Sequence, residues 1–314
     1  MANESPIVDG SAAATQRMRS QIERAIRNEG PVLITGPTGA GKELVAREIH
    51  RRSRPRHPFV SVNLVESSPT LLQSALFGHH RGAFTGADDR HVGFCEEAGE
   101  GTLCLDELGE IPLPAQPILL RVIEHLRFRP LGARADLPLQ ARVVASTNCD
   151  LEREMAAGRF RRDLYQRLAV HLVRVPGLEQ RREDLRTLVS ALAPSLVFTE
   201  DAWQRIERRP FPGNVRELKS VLQRIVAVTV EAGSPVVDRE TLRLADDEAP
   251  DDADADLASE IALHAISLGA SFADLKRAQA LFVKAALAKT RGNASEAARQ
   301  LGVSRGAVRA RLRA

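Results

Sequence analysis

The chain has 314 residues, 43% of them apolar but only 4% aromatic, and a formal net charge of +3. That length supports two or three compact units with aliphatic cores, and the composition excludes long disorder. No apolar run reaches the roughly 18–20 residues that span a bilayer, and the opening "MANESPIVDG" lacks the basic-then-apolar pattern of a signal peptide, so a cytoplasmic protein is expected.

Five short apolar runs read as strands: "VLIT" (32–35), "FVSVN" (59–63), "TLCLD" (102–106), "RVVAST" (142–147) and "HLVRV" (171–175). Helical patterns such as "KELVAREIHRR" and "PILLRVIEHL" lie between several of them. Strands alternating with helices predict an α/β fold with a parallel sheet covered on both faces. After Pro176 the β pattern stops. "EDLRTLVSALAPSL", "DAWQRIERR" and "NVRELKSVLQRIVAVTV" have helical spacing and predict a smaller helical subdomain. The expected division is 1–175 for the α/β part, 176–245 for the helical lid, 246–269 for an acidic linker and 270–314 for a terminal helical unit.

The charge is unevenly spread. Residues 246–274 carry nine acids and no Lys or Arg, whereas 275–314 carry ten Lys or Arg and one acid. A short basic end unit points to nucleic acid. Cys95, Cys104 and Cys149 are odd in number without CxxC spacing, which fits reduced thiols serving as small apolar residues.

"VLITGPTGAGKE" gives strand, glycine-rich loop, lysine and helix. Gly36, Gly39 and Gly41 let backbone N–H groups crowd around phosphates, and the helix from Lys42 points its positive end at the same anion. Lys42 reaches the outer phosphates. Glu43 stands where the generic pattern has a magnesium-holding Ser or Thr, so metal binding leans on a second site. That site is the end of "TLCLDE". Asp106 can hold magnesium, and Glu107 can orient or deprotonate water. The candidate cofactor-binding set in the loop is Gly36, Pro37, Thr38, Gly39, Ala40, Gly41, Lys42 and Glu43.

GPTGAGKE, GAFTGA, GTLCLDELGEIP, ASTNCDL, FRRDLYQRL and PFPGNVREL follow one another along the chain. Together they resemble bacterial enhancer-binding proteins, the AAA+ activators of sigma-54 RNA polymerase. The resemblance implies an AAA+ P-loop ATPase using ATP and magnesium. Asn63 matches the residue that couples the Walker B glutamate to the loops. Thr147 and Asn148 match sensor I, Arg161 and Arg167 the arginines offered to a neighbouring subunit's ATP, and Arg216 sensor II. Gly82, Ala83, Phe84, Thr85, Gly86 and Ala87 match the loop that contacts sigma-54, with glycines permitting movement. The resemblance further implies a ring, taken as a hexamer, and a sigma-54 holoenzyme partner. It also implies control by a protein acting in trans, since the chain starts almost at the ATPase with no receiver or ligand-sensing domain. The alternative is an AAA+-derived DNA-binding repressor that does not act on sigma-54.

There are departures from the family pattern. Glu179 replaces a basic residue, Cys95 a phenylalanine, and His80 an acid. Locally, Asn214 is expected to cap its helix, with Glu217 completing a capping box. Arg216 then lies in a first turn that disfavours positive charge, which suggests a phosphate ligand.

"NASEAARQLGVSRGAVRARLRA" has the form of a helix-turn-helix. Ser304 can cap its second helix, where Arg305, Arg309 and Arg313 form an i, i+4, i+8 stripe. The unit resembles the Fis type. Binding of double-stranded, enhancer-like DNA is expected, as a dimer on a two-fold site.

Overall fold

The computed structural model describes residues 9–64, 69–84, 86–246 and 290. In chain order the elements are α1 (Ala13–Arg27), β1 (Val32–Thr35), α2 (Lys42–Ser53), β2 (Phe59–Asn63), α3 (Pro69–Phe77), β3 (Gly78–His79), β4 (His91–Val92), α4 (Phe94–Glu97) and β5 (Thr102–Asp106). There follow α5 (Gln116–His125), β6 (Arg127–Phe128), β7 (Leu137–Pro138), β8 (Arg142–Thr147), α6 (Leu151–Ala156), α7 (Arg162–Leu168), β9 (His171–Arg174) and α8 (Leu185–Leu192). Last come β10 (Val197–Phe198), α9 (Glu200–Arg208), α10 (Asn214–Ala232), β11 (Val236–Val237) and α11 (Arg239–Asp246).

Two compact units divide the chain. The first holds the residues up to Pro194 together with Arg209–Ser220. Its sheet is wholly parallel in the order β2-β5-β8-β1-β9. All five expected strands are present, the last one residue shorter at its end. The central strand β8 is buried at every position, while the edge strand β2 alternates buried and open residues. Burial on both faces explains why the central strands read as continuous apolar runs. β1 is flanked by β8 and β9, both far from it in sequence, so its carboxyl end lies where ligands bind in open sheets of this kind.

α1 packs through Thr15, Met18, Ile22 and Ala25, an i, i+3, i+7, i+10 stripe in an otherwise charged helix. Its last carbonyls are collected by buried Arg142, which donates from Nη2 to Ala25 at 2.5 Å and Asn28 at 2.8 Å. A cation at a helix C-terminus satisfies orphan carbonyls and complements the dipole.

The second unit takes Ser195–Arg208 and, among the described residues, 221–246. It is mainly helical, but β10 and β11 form a parallel pair. The β pattern therefore does not end at Pro176. Strands two residues long are too short for apolar alternation to reveal. Phe198 and Trp203 pack with ring centroids 4.6 Å apart. Among the described residues no helix is long and apolar enough to cross a membrane.

The cysteines are all free thiols. Burial pushes Cys95 and Cys104 each up to about 12, and Cys149 is half-buried. A thiol reagent at pH 8 should titrate Cys149 slowly in the native chain and all three cysteines after unfolding. Rapid native titration of three would contradict the packing of Cys95 and Cys104.

Candidate active site

The loop after β1 turns over Ala40 N–H to Pro37 O at 3.2 Å. Gly39 and Gly41 have φ of 73° and 102°, which a side chain rarely adopts. A Cβ on Gly39 would also lie 2.2 Å from the Gly213 carbonyl oxygen. Conformation and crowding thus both require glycine there. Lys42 starts α2 and is buried, donating from Nζ to the Gly36 carbonyl at 3.1 Å. Burial depresses its pKa, while the charges of Glu107 and Asp106 oppose that shift and Arg216 adds to it. The charges of Glu107, Asp106 and Arg216 thus all reach Lys42.

Asp106 ends β5 and accepts a hydrogen bond from Ser146 Oγ. Asn63 pairs with Asp106 in the β2–β5 register, which sets it at the same sheet edge. Glu107 has φ 54° and ψ 44°, a left-handed conformation that a non-glycine residue holds at a cost of about 1–3 kcal/mol. Its Oε2 is buried with no hydrogen-bond partner among the described residues. A carboxylate oxygen desolvated in this way marks a group whose partner is a ligand or water. The oxygen donors of Asp106 and Glu107 suit a hard cation such as magnesium.

Thr147 is fully buried at the end of β8, opposite Thr35 of β1, and its hydroxyl accepts the Cys149 N–H at 3.0 Å. Asn148 donates from Nδ2 to the Thr38 hydroxyl at 3.0 Å, joining the segment after β8 to the loop. Arg216, in the first turn of α10, donates its backbone N–H to Gly39 O at 3.2 Å. Its exposed side chain has no ion pair among the described residues.

Other expected residues are placed elsewhere. The Glu43 carboxylate is paired with Arg47 at 2.8 Å on the exposed side of α2, so its side chain is no part of the assembled site. Arg161 is bidentate on Asp163 at 2.7 and 3.0 Å, and Arg167 pairs with Glu124 at 2.7 Å. Both arginines are exposed on the surface around α7. Glu179, the departure from the family pattern, is held by Arg182 at 2.5 Å.

The capping box at 214–217 needs correction. Asn214 is itself the first helical residue, at φ 54° and buried. Its Oδ1 accepts from Leu178 N at 2.7 Å and its Nδ2 donates to Thr38 O at 3.0 Å. The nitrogen also donates to Pro212 O at 3.3 Å, and none of the three partners belongs to its own helix. Glu217 instead accepts the Gly213 N–H at 2.8 Å, so half of the box survives, shifted by one residue.

Three supporting residues escape a reading of the sequence. Ser146 orients Asp106, and the serine just before Thr147 was the available signal. Gln116, fully buried, donates to the Ile111 and Arg159 carbonyls and accepts the Arg161 N–H at 2.8 Å, fixing where Arg161 leaves the domain. Arg181, also buried, donates to the Ala40 carbonyl at 2.9 Å.

The GAFTGA loop rises from the antiparallel pair β3–β4. Gly82 and Gly86 have φ of 79° and 94°, with open space where a Cβ would stand. These glycines answer to backbone conformation rather than to crowding. Gly82 N–H bonds Ala87 O at 2.8 Å, and Ala87 is buried. Phe84 is half-buried, with its ring edge-on to His79 at 5.0 Å. The loop is braced from the β6–β7 segment by His80 N–H to Leu131 O at 2.9 Å. Thr85 and the DNA-contact candidates Ser304, Arg305, Arg309 and Arg313 lie outside the described residues.

A glycine loop after β1, a buried lysine, and two carboxylates at the carboxyl end of β5 define a P-loop nucleoside triphosphatase of the parallel-sheet class. Residues 8–174 match the sigma-54 interaction domain family, and residues 282–314 match the bacterial regulatory protein, Fis family. The chain belongs to the sigma-54 interaction domain family, whose members are AAA+ ATPases acting in transcription regulation. The transcriptional regulatory protein ZraR of Escherichia coli (strain K12) is 39% identical over 96% of this chain and 67% of its own length. The response regulator protein PilR of Pseudomonas aeruginosa is 36% identical over 99% of this chain and 71% of its own. The crystal structure of NtrX from Brucella abortus in complex with ATP aligns with a TM-score of 0.65 at 31% identity, covering 97% of this chain and 68% of that one.

Proposed function

We propose that this chain is an ATP-driven activator of sigma-54 RNA polymerase that binds enhancer-like DNA through its C-terminal residues. The observation that carries the ATPase reading is the strained Glu107 with an orphaned, buried carboxylate oxygen, one residue from Asp106 and within electrostatic reach of Lys42.

ATP lies with its phosphates over the Gly36–Gly41 backbone and the start of α2. Lys42 exchanges its bond to the Gly36 carbonyl for the outer phosphates. Asp106, steadied by Ser146, is the residue that would hold magnesium, which when bound supplies charge neutralisation at the phosphates. Glu107 orients the attacking water and receives its proton. Asn63 relays the state of Glu107 toward the GAFTGA loop. Asn148 and Thr147 sense the γ-phosphate, and Arg216 contacts it from α10. Arg161 and Arg167 are presented to a neighbouring subunit in a ring, so hydrolysis follows assembly. Phe84 and Thr85 engage sigma-54.

The test is a trapping experiment. The chain with a transition-state analogue of ATP should form a stable complex with sigma-54. Thr85→Ala should lose the complex while retaining hydrolysis within about threefold, because the loop lies outside the phosphate-contacting groups. Failure of the unsubstituted chain to trap sigma-54 while it still binds DNA would favour a DNA-binding repressor.

A further inference from the structure

Thr38 stands in the middle of the phosphate loop, and its side chain is exposed. Two asparagines, distant in sequence, converge on it. Asn148, just past β8, donates to its hydroxyl at 3.0 Å. Asn214, at the start of α10, donates to its carbonyl at 3.0 Å. One loop residue thus has its side chain engaged from the sheet and its main chain engaged from the helix that carries Arg216.

Neither bond is needed to shape the loop. The turn from Ala40 N–H to Pro37 O and the left-handed glycines already fix its path. The Asn148 amide nitrogen has the Thr38 hydroxyl as its one hydrogen-bond acceptor among the described residues. Its second N–H stays available. Asn214 is held more firmly, because it is buried and its carbonyl oxygen receives the Leu178 N–H at 2.7 Å. Its amide cannot turn without losing bonds at both ends.

We propose that Thr38 is a positioning residue for ATP hydrolysis. Its hydroxyl presets the Asn148 amide toward the γ-phosphate. Its carbonyl, through Asn214, ties that setting to the start of α10 and hence to Arg216. Thr38 is then the point where the two sensors meet. The proposal rests on the reading of the P-loop as an ATP site. Because the loop backbone that cradles the phosphates is left intact, losing the hydroxyl acts on the rate of hydrolysis rather than on ATP affinity.

The experiment uses the full chain with ATP and magnesium. Thr38→Val keeps the branched shape and removes the hydroxyl. Its kcat should fall about tenfold, the size of one lost hydrogen bond, with KM within about threefold. Thr38→Ser should restore the rate. In an Asn148→Ala background, Thr38→Val should slow hydrolysis no further, since the hydroxyl acts through that amide. Asn214→Asp keeps the acceptor for Leu178 but sets an acceptor against the Thr38 carbonyl. It should reduce the preference for a triphosphate analogue over ADP by about fivefold.

A Thr38→Val chain as fast as the unsubstituted one overturns the proposal. So does a full tenfold loss in the Asn148→Ala background, or an Asn214→Asp chain with unchanged preference. An unsubstituted chain that neither binds nor hydrolyses ATP overturns the underlying site reading, and this proposal with it. A hydrolysing chain with a silent Thr38→Val overturns this proposal alone.

Discussion

Glu107→Gln should lower ATP hydrolysis by about 10²–10⁴-fold, the usual contribution of a positioned general base. Gln has nearly the shape of Glu and the same backbone preferences, so the left-handed turn after β5 should persist. Nucleotide affinity should change by less than about threefold, because the loop backbone and Lys42 remain in place. The substitution replaces a buried, partnerless carboxylate with a neutral amide, which lowers the desolvation cost, so stability should not fall with it. Phosphate-release kinetics alongside fluorescent-nucleotide binding separate the two effects. Hydrolysis within tenfold of the unsubstituted chain would remove Glu107 from the chemistry and leave its strained backbone without a functional reason.

Arg181→Met should be the most damaging single change to stability, at about 3–5 kcal/mol, since it breaks one side of a buried charge arrangement. Arg181 donates to the Ala40 carbonyl at the end of the phosphate loop. Burial lowers its pKa and the Asp184 charge opposes that. Asp184 is itself buried and accepts from Ala12 N–H at 2.9 Å and Thr15 Oγ1 at 2.5 Å. Losing the cation leaves that carboxylate with its Ala12 and Thr15 hydrogen bonds but without the nearby guanidinium charge. Thermal unfolding of the nucleotide-free chain should shift down by roughly 6–20 °C. Adding Asp184→Asn should recover part of the loss, because an amide can still serve both Ala12 and Thr15 without a charge. A shift below about 2 °C for Arg181→Met would show that the pair carries little of the fold.

The parallel sheet was legible in the sequence because strands covered on both faces must be apolar almost throughout. The same reasoning could not find β3–β4, β6–β7 or β10–β11, whose strands are two residues each. Their pairing is fixed by turns and tertiary contacts, which leave no periodic trace. The site divides along a similar line. Residues that act through local geometry, such as Gly39, Lys42 and the Asp106–Glu107 pair, could be read from loop and strand-end chemistry. Residues that act by reaching across the fold could not. Asn214 looked like a helix cap because its neighbours in sequence suggested one, yet its two shorter hydrogen bonds go to partners 36 and 176 residues away. Arg181 carries no local signal in the sequence, and only burial singles it out. Glu43 erred in the opposite sense. Its place in the motif suggested the site, but the i, i+4 neighbour Arg47 offered a nearer counter-charge.

The exposed ion pairs Arg161–Asp163 and Arg167–Glu124 bear on how a ring would form under changing ionic conditions. Each is the kind of surface pair that contributes about 0–1 kcal/mol, and either is readily exchanged for a stronger anion. A triphosphate on an adjoining subunit carries more negative charge than the carboxylate it would displace. In the proposed ring, swapping partners would therefore be favourable when that subunit is loaded and slightly costly when it is empty. Salt screens the more highly charged contact more strongly than the old one, so the swap itself would also weaken as ionic strength rises. What ionic strength would chiefly weaken is the long-range attraction that brings loaded subunits together. Local pairing of its arginines would thus make the chain selective for charged neighbours without making the lone protomer unstable.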